Sequence, residues 1–250
     1  MVTWQLAQRS MMLIPRIPST FVPSLVMPVF ITISFSGAFG ALSDIPAFPT
    51  DVMLDWVVPM ALLQGAAFAG ITTGMGIAHD VENGFFDRLL LSPSPRSALL
   101  LGPLLAAMLR ACFPFLLVLT AGIIGGVTIE DWVLGVPLLL LCAVLMGVVA
   151  AAWSLALVYR IRSTSAAPLM QVGLFIVFFL STAQVPLGLM QGWLHAVARL
   201  NPMTNVLRAA RQGFLGEVTW AETWPGLLAL GALVVVLLVW ARRGLAKMTL

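Results

Sequence analysis

Charged side chains in this chain fall almost entirely between long apolar blocks, and that arrangement leaves few folds open. Arg, Lys, Asp and Glu make up 9% of the 250 residues, and hydrophobic residues 60%. Ordinary soluble domains carry about a quarter charged residues. A soluble protein of this length needs more polar surface, so the bilayer is expected to be the solvent for most of the chain. The length fits one compact membrane domain over residues 1–250.

A helix crossing the hydrocarbon core needs about 20 apolar residues. Six blocks qualify: residues 21–42, 56–78, 104–127, 132–159, 166–185 and 224–240. The expected fold is an all-α polytopic membrane protein with six transmembrane helices. Within the N-terminal segment 1–20, residues 3–14 read as a short amphipathic interfacial helix, with Trp4, Leu6, Met11 and Leu13 on its apolar side. Arg9, Pro15, Arg16 and Pro18 interrupt the same stretch, which lacks the apolar run of a cleavable signal peptide.

Six spans put both termini on one side. That side carries nine basic residues (Arg9, Arg16, Arg88, Arg96, Arg160, Arg162, Arg242, Arg243 and Lys247) against Asp80, Glu82 and Asp87. The other has Arg199, Arg208 and Arg211 against Asp44, Asp51, Asp55, Glu130, Asp131, Glu217 and Glu222. The basic side, with both termini, is expected to be cytoplasmic by the positive-inside rule. Basic residues spread over short loops also account for the pI of about 9.5, with no nucleic-acid partner implied. Most of the tryptophans, Trp56, Trp132 and Trp224 among them, fall near expected span ends, where an amphipathic ring is favoured.

Enzyme chemistry finds little support. His79 and His195 lie on opposite expected sides, and no His or Cys cluster has metal-ligand spacing. No serine sits in a Gly-x-Ser-x-Gly setting. The only lysine is Lys247, so there is no Walker A loop and no ATP hydrolysis by that route. Cys112 and Cys142 lie inside apolar blocks and read as small buried hydrophobes. The one charge inside an apolar stretch, Arg110, is expected to snorkel to the cytosol. Gln64, Thr72, Thr73, Gln171, Ser181, Thr182 and Gln184 either line a substrate path or hydrogen-bond between helices. Ala66, Gly70 and Gly74, and again Ala143, Gly147 and Ala151, recur every four residues, which predicts close helix packing.

Two segments between the blocks are informative. Residues 79–97 hold all three acids of the basic side, then an amphipathic helical turn over residues 85–91 stopped by Pro93 and Pro95. Docking against a soluble partner and a plain interfacial loop both fit this pattern. Residues 186–216 are largely apolar although external by topology, with two amphipathic stretches meeting at Asn201-Pro202. A re-entrant helical hairpin packed on protein fits them.

In these segments, Asp80-x-Glu82-x-Gly84-x-x-Asp87-Arg88-Leu89, then Pro93-x-x-Arg96 and Gly102, together with Asn201-Pro202-x-Thr204, Arg208, Arg211 and Gly213, resemble the membrane subunit of type-2 ABC exporters, in the branch of the daunorubicin-resistance permeases. Residues 179–186, ending Val185-Pro186, are similar to the end of that family's fifth helix. The resemblance covers essentially the whole chain. Two positions depart from it: Pro103 stands where relatives often carry a basic residue, and Gln191 where a proline is common.

The resemblance implies a transport subunit rather than an enzyme, in a bacterial plasma (inner) membrane. A separate nucleotide-binding subunit would bind ATP and Mg, and this chain no cofactor. A second membrane subunit would pair with it, an identical copy being preferred to a paralogue. Asp80, Glu82, Gly84, Phe85, Phe86, Asp87, Arg88 and Leu89 would form a cytoplasmic coupling helix between spans two and three. Phe179, Thr182 and Gln184 would lie near the outer end of the substrate path. Asn201, Pro202, Arg208 and Arg211 would belong to an external gate in the hairpin between spans five and six. The cargo would be a hydrophobic or amphipathic small molecule: a drug, an antibiotic or a lipid. The alternative is a self-sufficient secondary transporter or a membrane-embedded lipid-handling protein.

Overall fold

In a computed structural model, residues 2–12, 18–92 and 95–248 are described, those at 18–21 by backbone alone. The expected helix stop at Pro93 and the end of the N-terminal helix at Ile14 lie outside the described residues. Among the described residues ten α-helices follow one another: α1 (Val2–Met12), α2 (Pro18–Phe39), α3 (Met53–Glu82), α4 (Phe85–Leu91), α5 (Arg96–Ile124), α6 (Gly135–Ile161), α7 (Ala167–Phe179), α8 (Gly192–Leu200), α9 (Pro202–Leu215) and α10 (Trp220–Lys247). Five of them, α2, α3, α5, α6 and α10, are long and apolar enough to cross a membrane.

The centre is α3. Its 30 residues span about 45 Å at 1.5 Å per residue, and 89% of its most apolar window is buried inside the protein. Small residues let its neighbours close in. A Cβ on Gly70 would lie 2.3 Å from the Gly147 carbonyl of α6, and one on Gly74 2.4 Å from Ser154. The four-residue spacing read from the sequence is thus the α3–α6 seam, where backbones touch because no side chain intervenes. At Gly65 three helices meet, since a Cβ there would strike Pro114 of α5 at 2.8 Å and Pro28 of α2 at 3.0 Å. The outer helix α10 leans on α6 through Trp240, stacked on Trp153 at 5.5 Å with the Arg160 guanidinium 4.3 Å from its centre.

One expected span is much shorter than its apolar block. Residues 166–185 promise a full crossing, but α7 ends at Phe179 after 13 residues and the chain turns over 180–185. With the 3-10 turn Thr164–Ala166 before it, the helical run reaches only about 24 Å, against about 30 Å of hydrocarbon core. The described N-terminal residues of α1 and the end of α10 share one end of the bundle with α4, while α8 and α9 occupy the other. Cys142 is buried and Cys112 half-buried, and both are free thiols.

Candidate functional site

At the α4 end, α3 outlasts the apolar core and closes at Asn83-Gly84. Gly84 has φ +68, a left-handed conformation that glycine adopts without strain. The reversal starts α4, whose two aromatic residues grip different partners. Phe86 is buried against Tyr159 of α6 at 5.8 Å. The Tyr159 hydroxyl in turn donates to the Leu99 carbonyl of α5 at 3.2 Å. Phe85 lies under the Arg9 guanidinium, 4.0 Å from the ring centre. Held at both rings, α4 leaves Asp87, Arg88 and Leu91 exposed, with Leu89 half-buried.

The acids before α4 bind within the chain, Asp80 buried and Glu82 at the surface. Asp80 takes two hydrogen bonds from Arg9, at 2.6 and 2.7 Å. That pairing, chiefly its hydrogen bonding, raises the Arg9 pKa above its ordinary value. Glu82 accepts from the Ser163 hydroxyl at 2.8 Å, the Thr164 N–H at 2.7 Å and the Thr164 hydroxyl at 2.9 Å. It therefore ties the end of α3 to the turn that starts α7. Arg9, Ser163 and Thr164 escape a reading of the sequence because their partners lie some 70 to 80 positions away. Gly102 has a plain steric role, since a Cβ there would meet Leu6 of α1 at 2.7 Å.

Arg110 does not snorkel. It is 4% exposed, donates to the Thr72 and Thr73 hydroxyls at 3.4 and 3.3 Å and to the Ser10 carbonyl, and its Nε has no acceptor among the described residues. The cause is α1, which lies across α5 and offers carbonyls of its last turn, where a cation is favoured, in place of solvent. Thr72 and Thr73 therefore bond between helices.

At the opposite end the hairpin caps the shortened α7. The last carbonyls of a helix have no partner within it. Asn201 Nδ2 donates to Val177 and Leu180 at 2.8 and 2.9 Å. Its Oδ1 meanwhile accepts from the Met203 N–H at 2.9 Å, capping α9, and Pro202 fills the first helical position, where its missing N–H costs nothing. Arg211 serves the turn that follows α7, donating to the Thr182 and Ala183 carbonyls at 2.7 and 2.8 Å and to the Trp56 carbonyl at 3.0 Å. Its guanidinium also lies 3.6 Å from the centre of the Trp56 ring. Burial lowers its pKa to about 9, which leaves it protonated at neutral pH. Arg208 instead faces outward and pairs with Glu222 at 2.7 Å.

Two more contacts fix this end. Gly213 of α9 lies against Gly135 of α6, so close that a Cβ on either would be within 2.5 Å of the other's Cα. Asp55, 1% exposed, accepts from the Thr128 N–H at 2.7 Å and the Thr50 hydroxyl at 3.2 Å. Sequence alone places Asp55 in an external loop, and its burial follows from this N–H and hydroxyl capture.

Between α2, α3 and α7 lies a cleft of about 240 Å³ lined by Ser24, Met27, Phe68, Thr72, Gln171 and Phe175 among others. Two apolar stripes stand exposed nearby: Val22, Val26, Phe30 and Ile33 on α2, and Leu169, Val172, Ile176 and Phe179 on α7. Phe179 thus belongs to an exposed stripe, whereas Thr182 is buried under the hairpin and Gln184 half-buried. The structure does not gather the three on one surface. Among the described residues no group of three His, Cys, Asp or Glu is placed to hold a metal.

Comparison with known proteins identifies the family. Residues 1–215 match the model of the ABC-2 type transporter family. The chain is 25% identical over 236 residues to a daunorubicin resistance ABC transporter permease protein, DrrB1, of Streptomyces coeruleorubidus, covering 91% of this chain and 80% of that one. It is 25% identical to a putative transport permease, ycf38, of Pyropia yezoensis, over 89% of this chain and 79% of that one. A probable doxorubicin resistance ABC transporter permease protein, DrrC, of Mycobacterium tuberculosis is 24% identical, over 78% of this chain and 70% of that one. With five helices fit to cross a bilayer and a family match over most of its length, this multi-pass membrane chain belongs to the ABC-2 type transporters.

Proposed function

We propose that the chain is the membrane subunit of an ATP-driven exporter that moves a hydrophobic or amphipathic small molecule (drug, antibiotic or lipid) out of the cell. A separate nucleotide-binding subunit hydrolyses the ATP, with Mg, and a second copy of this chain completes the membrane unit. The observation that carries this reading is α4: two anchored rings hold it rigid, while Asp87, Arg88 and Leu91 face outward. Charged and apolar knobs on a short rigid helix suit a cleft in a soluble subunit.

The same end supports a route for the motion. Force on α4 reaches α3 across the Gly84 turn, and Glu82 passes it to the start of α7. On this reading, α7 and α2 present their exposed stripes to the second copy and line the path, with Phe179 toward its outer end. The turn after α7, capped by Asn201 and Arg211, forms the outer gate. Here α7 with its capped turn does the work of the fifth span, and the α4 end with both termini is cytoplasmic by its excess of basic residues. Alternating access then requires only that ATP and cargo bind the two states with different affinities.

Affinity purification from the native membrane in mild detergent tests the proposal. A stoichiometric soluble subunit with a Walker A loop is expected. Reproducible isolation of the chain alone, under conditions that preserve known complexes, would sink it.

A further inference from the structure

Under the α8–α9 hairpin lies a cavity of about 500 Å³. Arg199, Arg208 and Arg211 all line it, and they are the only Arg or Lys residues between positions 163 and 241. Their convergence follows from local structure. Arg208 and Arg211 are three apart on α9 and so stand as neighbours along it, one at the surface and one buried, and the turn at Asn201 folds the last turn of α8, with Arg199, back beside them.

The cavity is rich in donors and poor in negative charge. Glu222 pairs with Arg208, but Arg199 has no hydrogen bond or ion pair among the described residues. Arg211, 2% exposed, spends three of its N–H bonds on backbone carbonyls and none on a carboxylate. A guanidinium has five N–H donors, so two remain. Trp56, 6% exposed, lines the same cavity, and its buried indole N–H has no acceptor among the described residues. That group can only donate. The rim of this end is acidic, with Asp44, Asp51, Glu130 and Glu217 exposed, so attraction for an anion is confined to the cavity.

We propose that this cavity binds an oxyanion of the phosphate class, either the phosphodiester headgroup of a membrane lipid or free phosphate. Planar guanidinium forks match phosphate oxygens in pairs, and a tetrahedral anion takes donors arriving from several sides at once. Arg211 and the Trp56 N–H form the floor, and Arg199 and Arg208 the mouth.

The test uses the whole chain in neutral detergent and needs no ATPase, so its outcome is separate from that of the transport proposal. Two probes are titrated, inorganic phosphate and short-chain phosphatidylglycerol, with the matching diacylglycerol as a phosphate-free control. Binding is read by native mass spectrometry and calorimetry. We expect phosphatidylglycerol or phosphate to bind where diacylglycerol does not. Lipid binding alone assigns the headgroup, phosphate binding alone assigns the free anion, and both support the site. Arg199→Gln and Trp56→Phe should each weaken binding on the order of tenfold, as loss of one hydrogen bond to a charged group does, with the ligand-free Tm unchanged for the exposed Arg199 and lowered for the buried Trp56. Arg211→Gln tests the floor, and if it fails to fold the first two variants decide. The proposal is overturned if neither probe binds, if diacylglycerol binds as well as phosphatidylglycerol, or if Arg199→Gln and Trp56→Phe bind like the wild type.

Discussion

Glu82 accepts a hydrogen bond from the backbone N–H of Thr164 at 2.7 Å, joining the last turn of α3 to the turn that starts α7. If this bond relays motion from α4, Glu82→Ala should lower transport more than ATP hydrolysis in the reconstituted complex, with assembly intact. Glu82→Gln retains an acceptor and should fall between. Equal transport per ATP in all three proteins would remove the relay.

Asp87 and Arg88 are exposed and make no side-chain hydrogen bond or ion pair among the described residues. Exposed substitutions usually stay within about 0.5 kcal/mol, so Asp87→Ala and Arg88→Ala should leave thermal stability unchanged while reducing recovery of the ATPase subunit in pull-downs. Phe86→Ala is the contrasting case. Emptying a buried aromatic site costs about 3–5 kcal/mol, and it should lower Tm as well as recovery. Full ATPase recovery with both charge variants would argue against α4 as the docking element.

Asn201 joins two helix ends, and its two roles separate by substitution. Asn201→Ala loses the cap of α9 and strands the Val177 and Leu180 carbonyls, at a cost of about 2–4 kcal/mol. Asn201→Asp keeps the capping oxygen but not the amide donors, so it should destabilise less than alanine. Unfolding in detergent ranks the three, and no difference between Ala and Asp would mean that the α7 carbonyls do not need the amide.

Gly70 and Gly231 give a matched pair for the α3–α6 seam. A Cβ at Gly70 meets backbone at 2.3 Å, whereas Gly231 of α10 has nothing within 4 Å. Gly70→Ala should cost about 1–3 kcal/mol through overpacking. Gly231→Ala should be neutral or slightly stabilising, since alanine is favoured in a helix by about 1 kcal/mol. Equal Tm for the two variants would deny the close contact.

Long apolar runs make α3, α5, α6 and α10 legible in the sequence, and the four-residue spacing of small residues marks the two helix faces that form the α3–α6 seam. The end of α7 is not legible. Residues 180–185 hold no glycine or proline to announce a break; the helix stops where side chains from α9 and the residue that caps it, some 20 to 30 positions later, take its carbonyls and those of the turn after it. Arg110 misleads for a similar reason. Local sequence puts it near an interface, and only the packing of α1, a hundred residues earlier, encloses it. The motif residues of the α4 segment are visible, but Asp80 and the exposed Glu82 prove to be tied to other parts of the chain, leaving Asp87 and Arg88 as the exposed charges on α4 itself.

The seat of α1 sets an order of events during synthesis. Its partners Asp80, Gly102 and Arg110 leave the ribosome long after Val2–Met12 has emerged. A segment made before its partners is therefore among the last to be locked. It must wait at the membrane until α3 and α4 are made before Arg9 can clamp Asp80 and Phe85, and until α5 is made before Gly102 and Arg110 can seat it. Completion of the α4 platform, which also needs Tyr159 beneath Phe86, thus reports that the chain has been threaded at least through α6.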